Sequence, residues 1–71
     1  MKDTDKNSLK ILADKLRIYR NQKNISQESL AQLAELDRTY ISGLERGLRN
    51  PSYLTIKRLC KILDITPNDL F

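Results

Sequence analysis

Histidine is absent from this chain of 71 residues, and Cys60 is the only cysteine. One cysteine cannot form a disulfide within the chain, and without histidine or a second cysteine the usual ligands of zinc are missing. We therefore expect Cys60 to pack as a small core residue. We expect neither a metal nor another cofactor.

Catalytic and membrane signals are equally scarce. The sequence has no nucleophile elbow, no glycine loop that would cradle a phosphate, and no pair of carboxylates predicted to share a pocket, so an enzyme is not expected. No apolar run approaches the roughly 20 residues that span a bilayer, and the polar N-terminus does not resemble a signal peptide. These absences predict a soluble, cytoplasmic protein with no membrane partner and no small-molecule effector.

Positive charge is concentrated in the second half of the chain. The whole sequence has 13 basic and 9 acidic residues, a net charge of +4. Between residues 38 and 61 the single acidic residue is Glu45, whereas the basic residues are Arg38, Arg46, Arg49, Lys57, Arg58 and Lys61. This distribution favours a polyanionic partner.

Apolar residues recur at helical spacing, and no stretch alternates as a strand does, so the sequence predicts an all-α fold. We expect a compact five-helix bundle with helices over residues 8–23, 27–34, 38–46 and 53–63 and a last one that begins at Pro67. Residues 1–7 are polar and are expected to be flexible, which leaves one domain over 8–71. Because so short a chain buries only a small core, a homodimer would add stability.

The central stretch, residues 26–50, contains two short amphipathic segments. Their apolar positions are Leu30, Leu33 and Ala34 in the first and Ile41 and Leu44 in the second. Ala31 is small at the place where the two helix axes would approach most closely. Two such helices packed at a steep angle form a helix-turn-helix, a motif that reads the major groove of DNA.

Capping residues predict where these helices begin and end. The second helix is expected to follow Ser26, Ser52 is expected to cap the fourth, and the carboxylate of Asp37 is expected to accept a hydrogen bond from the N–H groups that open the third. Asn24 and Gly47 are expected to close the first and third helices in a left-handed conformation. This assignment places residues 38–40 in the first turn of the third helix.

Residues 12–71 resemble the lambda-repressor-like, or XRE, family of DNA-binding proteins, in which a glutamine, here Gln27, opens one helix and Glu-Arg-Gly closes the next. The run LDRTYISGLERGLRNPS is similar to the small controller proteins of bacterial restriction-modification systems. The resemblance implies a homodimeric transcriptional regulator that fills adjacent operators cooperatively, activating at low dose and repressing at high dose. One departure is Glu35, which stands where the family commonly has glycine. A positive φ at Glu35 would cost about 1 kcal/mol.

The predicted DNA contacts divide into two groups. Base reading falls to the side of the third helix away from Ile41 and Leu44, which carries Arg38, Thr39 and Ser42, with Tyr40 at its edge. Contacts to the DNA backbone are assigned to Gln27, Arg46, Arg49 and Asn50. The alternative is a solvated surface for the charged residues and packing over the bundle for Tyr40, while Arg49 has the minor groove as a second option. Lys57, Arg58 and Lys61 are expected to be surface charges.

Two further sets of residues are predicted to support DNA binding. Family resemblance pairs Arg20 with Glu45 in a structural ion pair that joins the first and third helices. A homodimer interface is assigned to Ile62, Ile65, Leu70 and Phe71, with packing in the protomer's own core as the alternative. A two-fold dimer would place two recognition helices about 34 Å apart and would imply a roughly palindromic operator.

The sequence is also compatible with two other functions. An antitoxin of the same fold would bind DNA and would also hold a toxin with its C-terminal surface or an extension. A pure protein-interaction module would have no need of the basic stretch over residues 38–61. Binding to random DNA with a strong dependence on salt would argue against such a module.

Overall fold

Four α-helices follow one another along residues 2–71, the part of the chain that the computed structural model describes. They are α1 (Lys2–Gln22), α2 (Gln27–Ala34), α3 (Arg38–Glu45) and α4 (Tyr53–Leu63), and a short 3₁₀ helix (Pro67–Leu70) comes last. The described residues contain no strand, so the all-α prediction is confirmed.

The prediction of a fifth helix is wrong, because the last element is a single 3₁₀ turn. The N–H of Asp69 donates to the carbonyl of Thr66 at 2.9 Å, an i to i+3 bond that closes a tighter turn than an α-helix does. The carboxylate of Asp69 in turn accepts from the backbone N–H of Thr66 at 2.8 Å and from its hydroxyl at 3.2 Å. These contacts hold the turn in place, and it does not extend into an α-helix.

Helix α1 begins six residues earlier than predicted, at Lys2 instead of Ser8. Residues 2–7 contain neither glycine nor proline, so the helix meets no residue that would stop it. The predicted boundary of the domain at residue 8 therefore does not coincide with the start of a helix. That the first residues are flexible stays a prediction.

Each of the four α-helices is followed by a residue in the left-handed conformation. The backbone N–H of the residue after it donates to the carbonyl five positions back. These four hydrogen bonds are Ile25 to Arg20 at 3.4 Å, Leu36 to Ala31 at 2.8 Å, Leu48 to Gly43 at 2.9 Å and Ile65 to Cys60 at 3.0 Å. Only one of the four left-handed residues is a glycine; they are Asn24, Glu35, Gly47 and Asp64. The predicted closing roles of Asn24 and Gly47 are confirmed, and Glu35 has a positive φ of 58°.

At the helix N-termini, serine side chains cap α2 and α4, and the predicted cap at Ser52 is confirmed. Ser26 accepts a hydrogen bond from the N–H of Ser29 at 2.9 Å, and Ser52 accepts one from the N–H of Thr55 at 3.2 Å. Asp37 occupies the N-cap of α3, but its carboxylate accepts no hydrogen bond from the helix. The predicted N-cap position of Asp37 is therefore confirmed, whereas the predicted side-chain hydrogen bond is wrong: the carboxylate is exposed to water instead.

The core lies where all four helices and the 3₁₀ turn meet. Its largest fully buried side chains are Leu16, Leu30, Ile41, Leu44, Leu59, Leu63 and Leu70. Cys60 is buried beside them, and burial raises the pKa of its thiol, with the nearby carboxylate of Asp69 adding to the effect. The predicted packing role of Cys60 is confirmed.

Leu33, which was expected on the apolar face of α2, is instead 61% exposed, and Leu54 at the start of α4 is 72% exposed. The buried side of α2 consists of Leu30, Ala31 and Ala34. Leu54 precedes the core residue Ile56 by two positions, a rotation of about 200° around the helix, and so points away from the core. No helix within residues 2–71 is both long enough and apolar enough to cross a membrane.

Candidate nucleic-acid interface

Helix α3 packs against α1 and α2 and leaves its first turn exposed. Ile41 and Leu44 are buried, whereas Arg38 and Thr39 are exposed and Ser42 is half-buried. Tyr40 is also half-buried and packs against the core. The structure therefore places Arg38 and Thr39 at an accessible helix end and gives Tyr40 a packing contact as well.

A buried ion pair joins α1 to the end of α3, and the prediction for Arg20 and Glu45 is confirmed. The guanidinium group of Arg20 donates from Nε to Oε2 of Glu45 and from Nη2 to Oε1 at 3.0 Å. The side chain of Arg20 is 12% exposed and that of Glu45 is 2% exposed. The hydrogen bonds to Glu45 raise the pKa of Arg20.

The same carboxylate also holds the start of α2. The side-chain amide of Gln27 donates to Oε1 of Glu45 at 3.0 Å, and Nη1 of Arg20 donates to the carbonyl of Ile25 at 2.8 Å. These contacts connect three elements around Glu45. Gln27, predicted to contact the DNA backbone, thus has one amide N–H committed to the scaffold.

Two arginines for which no structural contact was predicted support the helix-turn-helix from neighbouring helices. Nη1 of Arg17 in α1 donates to the carbonyl of Glu45 at 3.1 Å, and Nη1 of Arg58 in α4 donates to the carbonyl of Ala34 at 3.0 Å. Each satisfies a carbonyl at a helix C-terminus that has no partner within its own helix. Arg58 is therefore more than the surface charge that was expected.

The loop after α3 carries three of the predicted backbone contacts. Arg46, Arg49 and Asn50 are all exposed. Arg49 turns back onto α3, where its Cζ lies 5.6 Å from the centre of the Tyr40 ring. Arg49, Tyr40 and Thr39 line one concave surface, which the carboxylate-bearing residues of the α2–α3 turn and Thr55 complete.

The predicted dimer residues do not form one exposed set. Leu70 is fully buried, so its assignment to a dimer interface is wrong; the 3₁₀ turn places its side chain in the protomer's own core. Ile62 and Ile65 are half-buried against that core, and Phe71 is 56% exposed. The Phe71 carbonyl accepts a hydrogen bond from Nζ of Lys15 at 2.9 Å.

No cluster of three or more side chains that commonly bind metal comes together within the described part of the chain. The exposed surface around α3 carries the positive charges of Arg38, Arg46 and Arg49, with the carboxylates of Glu35 and Asp37 beside them at the α2–α3 turn. Arginine, threonine and asparagine are side chains of the kinds that hydrogen-bond to base edges and phosphates in DNA.

The class of protein follows from this arrangement and from the sequence. The profile of the helix-turn-helix family matches residues 16–70, and the chain belongs to that family. Its relatives include control proteins with similar lengths. C.BamHI of Bacillus amyloliquefaciens is 46% identical over 66 residues, which cover 90% of this chain and 82% of that protein. C.MunI of a Mycoplasma species is 42% identical over 67 residues, which cover 92% and 90%.

A third control protein, C.SmaI of Serratia marcescens, is 48% identical over 54 residues, which cover 76% of this chain and 64% of that protein. Among solved structures, the restriction-modification controller protein C.AhdI of Aeromonas hydrophila superposes with a TM-score of 0.85 at 48% identity, covering 89% of this chain and 96% of that one. SinR, a master regulator for biofilm formation solved in complex with DNA, gives a TM-score of 0.79 at 30% identity, covering 83% and 95%. The resemblance to controller proteins is thus confirmed.

Proposed function

We propose that this chain is a restriction-modification controller, a cytoplasmic transcriptional regulator that binds a roughly palindromic operator as a homodimer. The observation that carries the proposal is the first turn of α3, where Arg38 and Thr39 are exposed on a helix that the buried network around Glu45 holds in place. The similarity to control proteins supports the same assignment.

Base reading rests mainly on Arg38. An arginine at this position donates two parallel hydrogen bonds to a guanine in the major groove, a contact that discriminates between bases by about 1–3 kcal/mol. Thr39 offers a methyl group to thymine and a hydroxyl to a base edge. Ser42 lies one turn further along α3, and Tyr40 lies at the edge of the surface.

Backbone contacts fix the position of α3 in the groove. The free N–H groups at the start of α2, beside Gln27, favour a phosphate. Arg46, Arg49 and Asn50 extend this surface along the loop after α3. Such contacts supply affinity for any DNA sequence and make that affinity fall steeply with salt.

A homodimer sets the spacing of the two recognition helices. Phe71 exposes a large apolar side chain, and Ile62 and Ile65 are half-buried near it in sequence. We place the two-fold interface on these residues. It spaces the two copies of α3 by about one turn of DNA, which calls for a two-fold symmetric operator. Cooperative filling of adjacent operators would then activate at low dose and repress at high dose.

Selection of tightly bound duplexes from a random pool tests the proposal. We expect a two-fold symmetric site. Arg38→Ala should lower the ratio of operator binding to random-DNA binding by about tenfold, because a base contact is lost and the phosphate contacts remain. Arg46→Ala is the matched control, since it removes one positive charge and should weaken both kinds of binding alike. Selection of no sequence at all would overturn the proposal.

An antitoxin was the alternative function. The relatives reported above are control proteins and a transcriptional regulator, and they give that alternative no support.

A further inference from the structure

Gly43 lies in the last turn of α3, and Arg49 covers the place where a side chain would be. A methyl group built on Gly43 would lie 2.9 Å from Cγ of Arg49, 3.5 Å from its Nε and 3.7 Å from its Cδ. The first distance is too short for two carbon atoms, so any larger residue at position 43 displaces the side chain of Arg49.

The end of α3 explains how Arg49 reaches this position. Gly47 has a φ of 75°, the N–H of Gly47 donates to the carbonyl of Leu44 at 3.1 Å, and the N–H of Leu48 donates to the carbonyl of Gly43 at 2.9 Å. This pair of bonds reverses the chain at the helix C-terminus. The reversal carries Arg49 back alongside the helix that it has just left.

The ring of Tyr40 supports the side chain of Arg49 next to Gly43. The ring lies under the guanidinium group of Arg49, with 5.6 Å between Cζ and the ring centre, a distance at which the positive charge is attracted to the ring face. Gly43 is one turn of helix further on from Tyr40, so the bare backbone and the ring form one continuous support. Arg49 is thereby held against the recognition helix, although it belongs to an exposed loop.

We propose that Gly43 is a positioning residue for DNA binding: by lacking a side chain it seats Arg49 over Tyr40 and fixes the guanidinium group at the rim of the groove. The inference rests on the proposed function and deepens it, because it names the residue that places a loop arginine. Ordering this long side chain before DNA arrives lowers the entropy that binding would otherwise cost.

Gly43 is not needed for the backbone of α3 itself. Its φ is not in the left-handed range, where Gly47 alone among the two glycines lies. Glycine within a helix is less favourable than alanine by about 0.5–1 kcal/mol. If Gly43 had no role in positioning Arg49, alanine at this position would be tolerated or stabilising and would leave DNA binding unchanged.

The experiment compares Gly43→Ala, Arg49→Ala and the double variant by thermal unfolding and by operator affinity at fixed salt. We expect Gly43→Ala to unfold at the same temperature as the unmodified protein or higher, and to bind the operator about tenfold more weakly, as for the loss of one good contact. In the Arg49→Ala background the same substitution should change affinity by less than about twofold.

Lys61→Ala serves as a control, because it also removes one positive charge but does so from an exposed surface of α4, away from Gly43 and Arg49. Independent, multiplicative losses in the double variant, or full operator affinity in Gly43→Ala, would overturn the inference. Failure of the unmodified protein to prefer any DNA sequence would instead refute the proposed function, so the two results are distinguishable.

Discussion

Among individual residues, Glu45 accepts hydrogen bonds from three side chains at the end of α3. Its carboxylate accepts from Arg20 and Gln27, and its carbonyl accepts from Arg17. A charged group this deeply buried is tolerated only because each oxygen has a donor. Family resemblance was enough to predict the partner Arg20. Arg17 was not predicted, because its acceptor is a backbone carbonyl that only the packing of α1 on α3 brings close.

Glu45→Gln should reduce the free energy of unfolding by about 3–5 kcal/mol, because the charge of Arg20 is then buried without a counterion. Urea unfolding followed by far-UV circular dichroism measures the change. Asp14→Asn is the control: it breaks exposed pairs with Lys10 and Arg17 and should leave the unfolding curve unchanged. A loss no larger than that of the control would show that the ion pair does not hold α3 in place.

Among the secondary-structure elements, the helices share one way of ending. Three of the four left-handed residues are not glycine, and each carries a conformational cost that glycine would avoid. Glu35 lies in the turn of the helix-turn-helix, where the N–H of Leu36 donates to the carbonyl of Ala31 at 2.8 Å. The turn thus keeps its hydrogen bonds despite the strained residue.

Glu35→Gly should increase the free energy of unfolding by about 0.5–1 kcal/mol, since glycine adopts the left-handed conformation without strain and offsets the added entropy of the unfolded chain. Glu35→Ala is the matched control, because it removes the carboxylate but keeps the Cβ atom that causes the strain. Urea midpoints of the two variants give the comparison. Equal stability of the alanine and glycine variants would mean that the backbone at position 35 is not strained.

Across the whole molecule, the two proposed interfaces differ in chemistry, one being rich in positive charge and the other carrying an exposed apolar ring. The arginines beside α3 belong to the surface proposed for DNA, and the exposed ring of Phe71 belongs to the surface proposed for the dimer. One short recognition helix offers few base contacts, so tight and specific binding requires two copies. Lys15 fixes the backbone of Phe71 through its hydrogen bond and leaves the ring exposed.

Phe71→Asp should give a folded, helical monomer that binds DNA weakly and has lost tight operator binding, because a carboxylate would be buried in the two-fold interface. Equilibrium sedimentation and circular dichroism test assembly and folding separately. Leu33→Asp, on an α2 side chain of similar exposure, should remain dimeric. The dimer proposal would fail if the unmodified protein sedimented as a monomer at tens of micromolar and its selected site had no two-fold symmetry.

Local patterns in the sequence were sufficient to predict several elements. The bounds of α2 and the starts of α3 and α4 followed from the caps and from apolar spacing, because a helix begins and ends through contacts between residues three to five positions apart. The exposed first turn of α3, with Arg38 and Thr39, followed from the same register. Resemblance to a known family added the long-range pair of Arg20 and Glu45.

Tertiary packing decided the rest, because it depends on distances between residues far apart in the chain. Leu70 and Leu54 are both leucines near helix ends, and only the assembled bundle shows that the first is buried and the second exposed. Arg58 is exposed, as expected of a surface charge, but it also donates to the carbonyl of Ala34 in another helix. Arg49 lies over Tyr40 because the chain reverses at Gly47 and because Gly43 has no side chain to block the contact. No local pattern in the sequence specifies this combination.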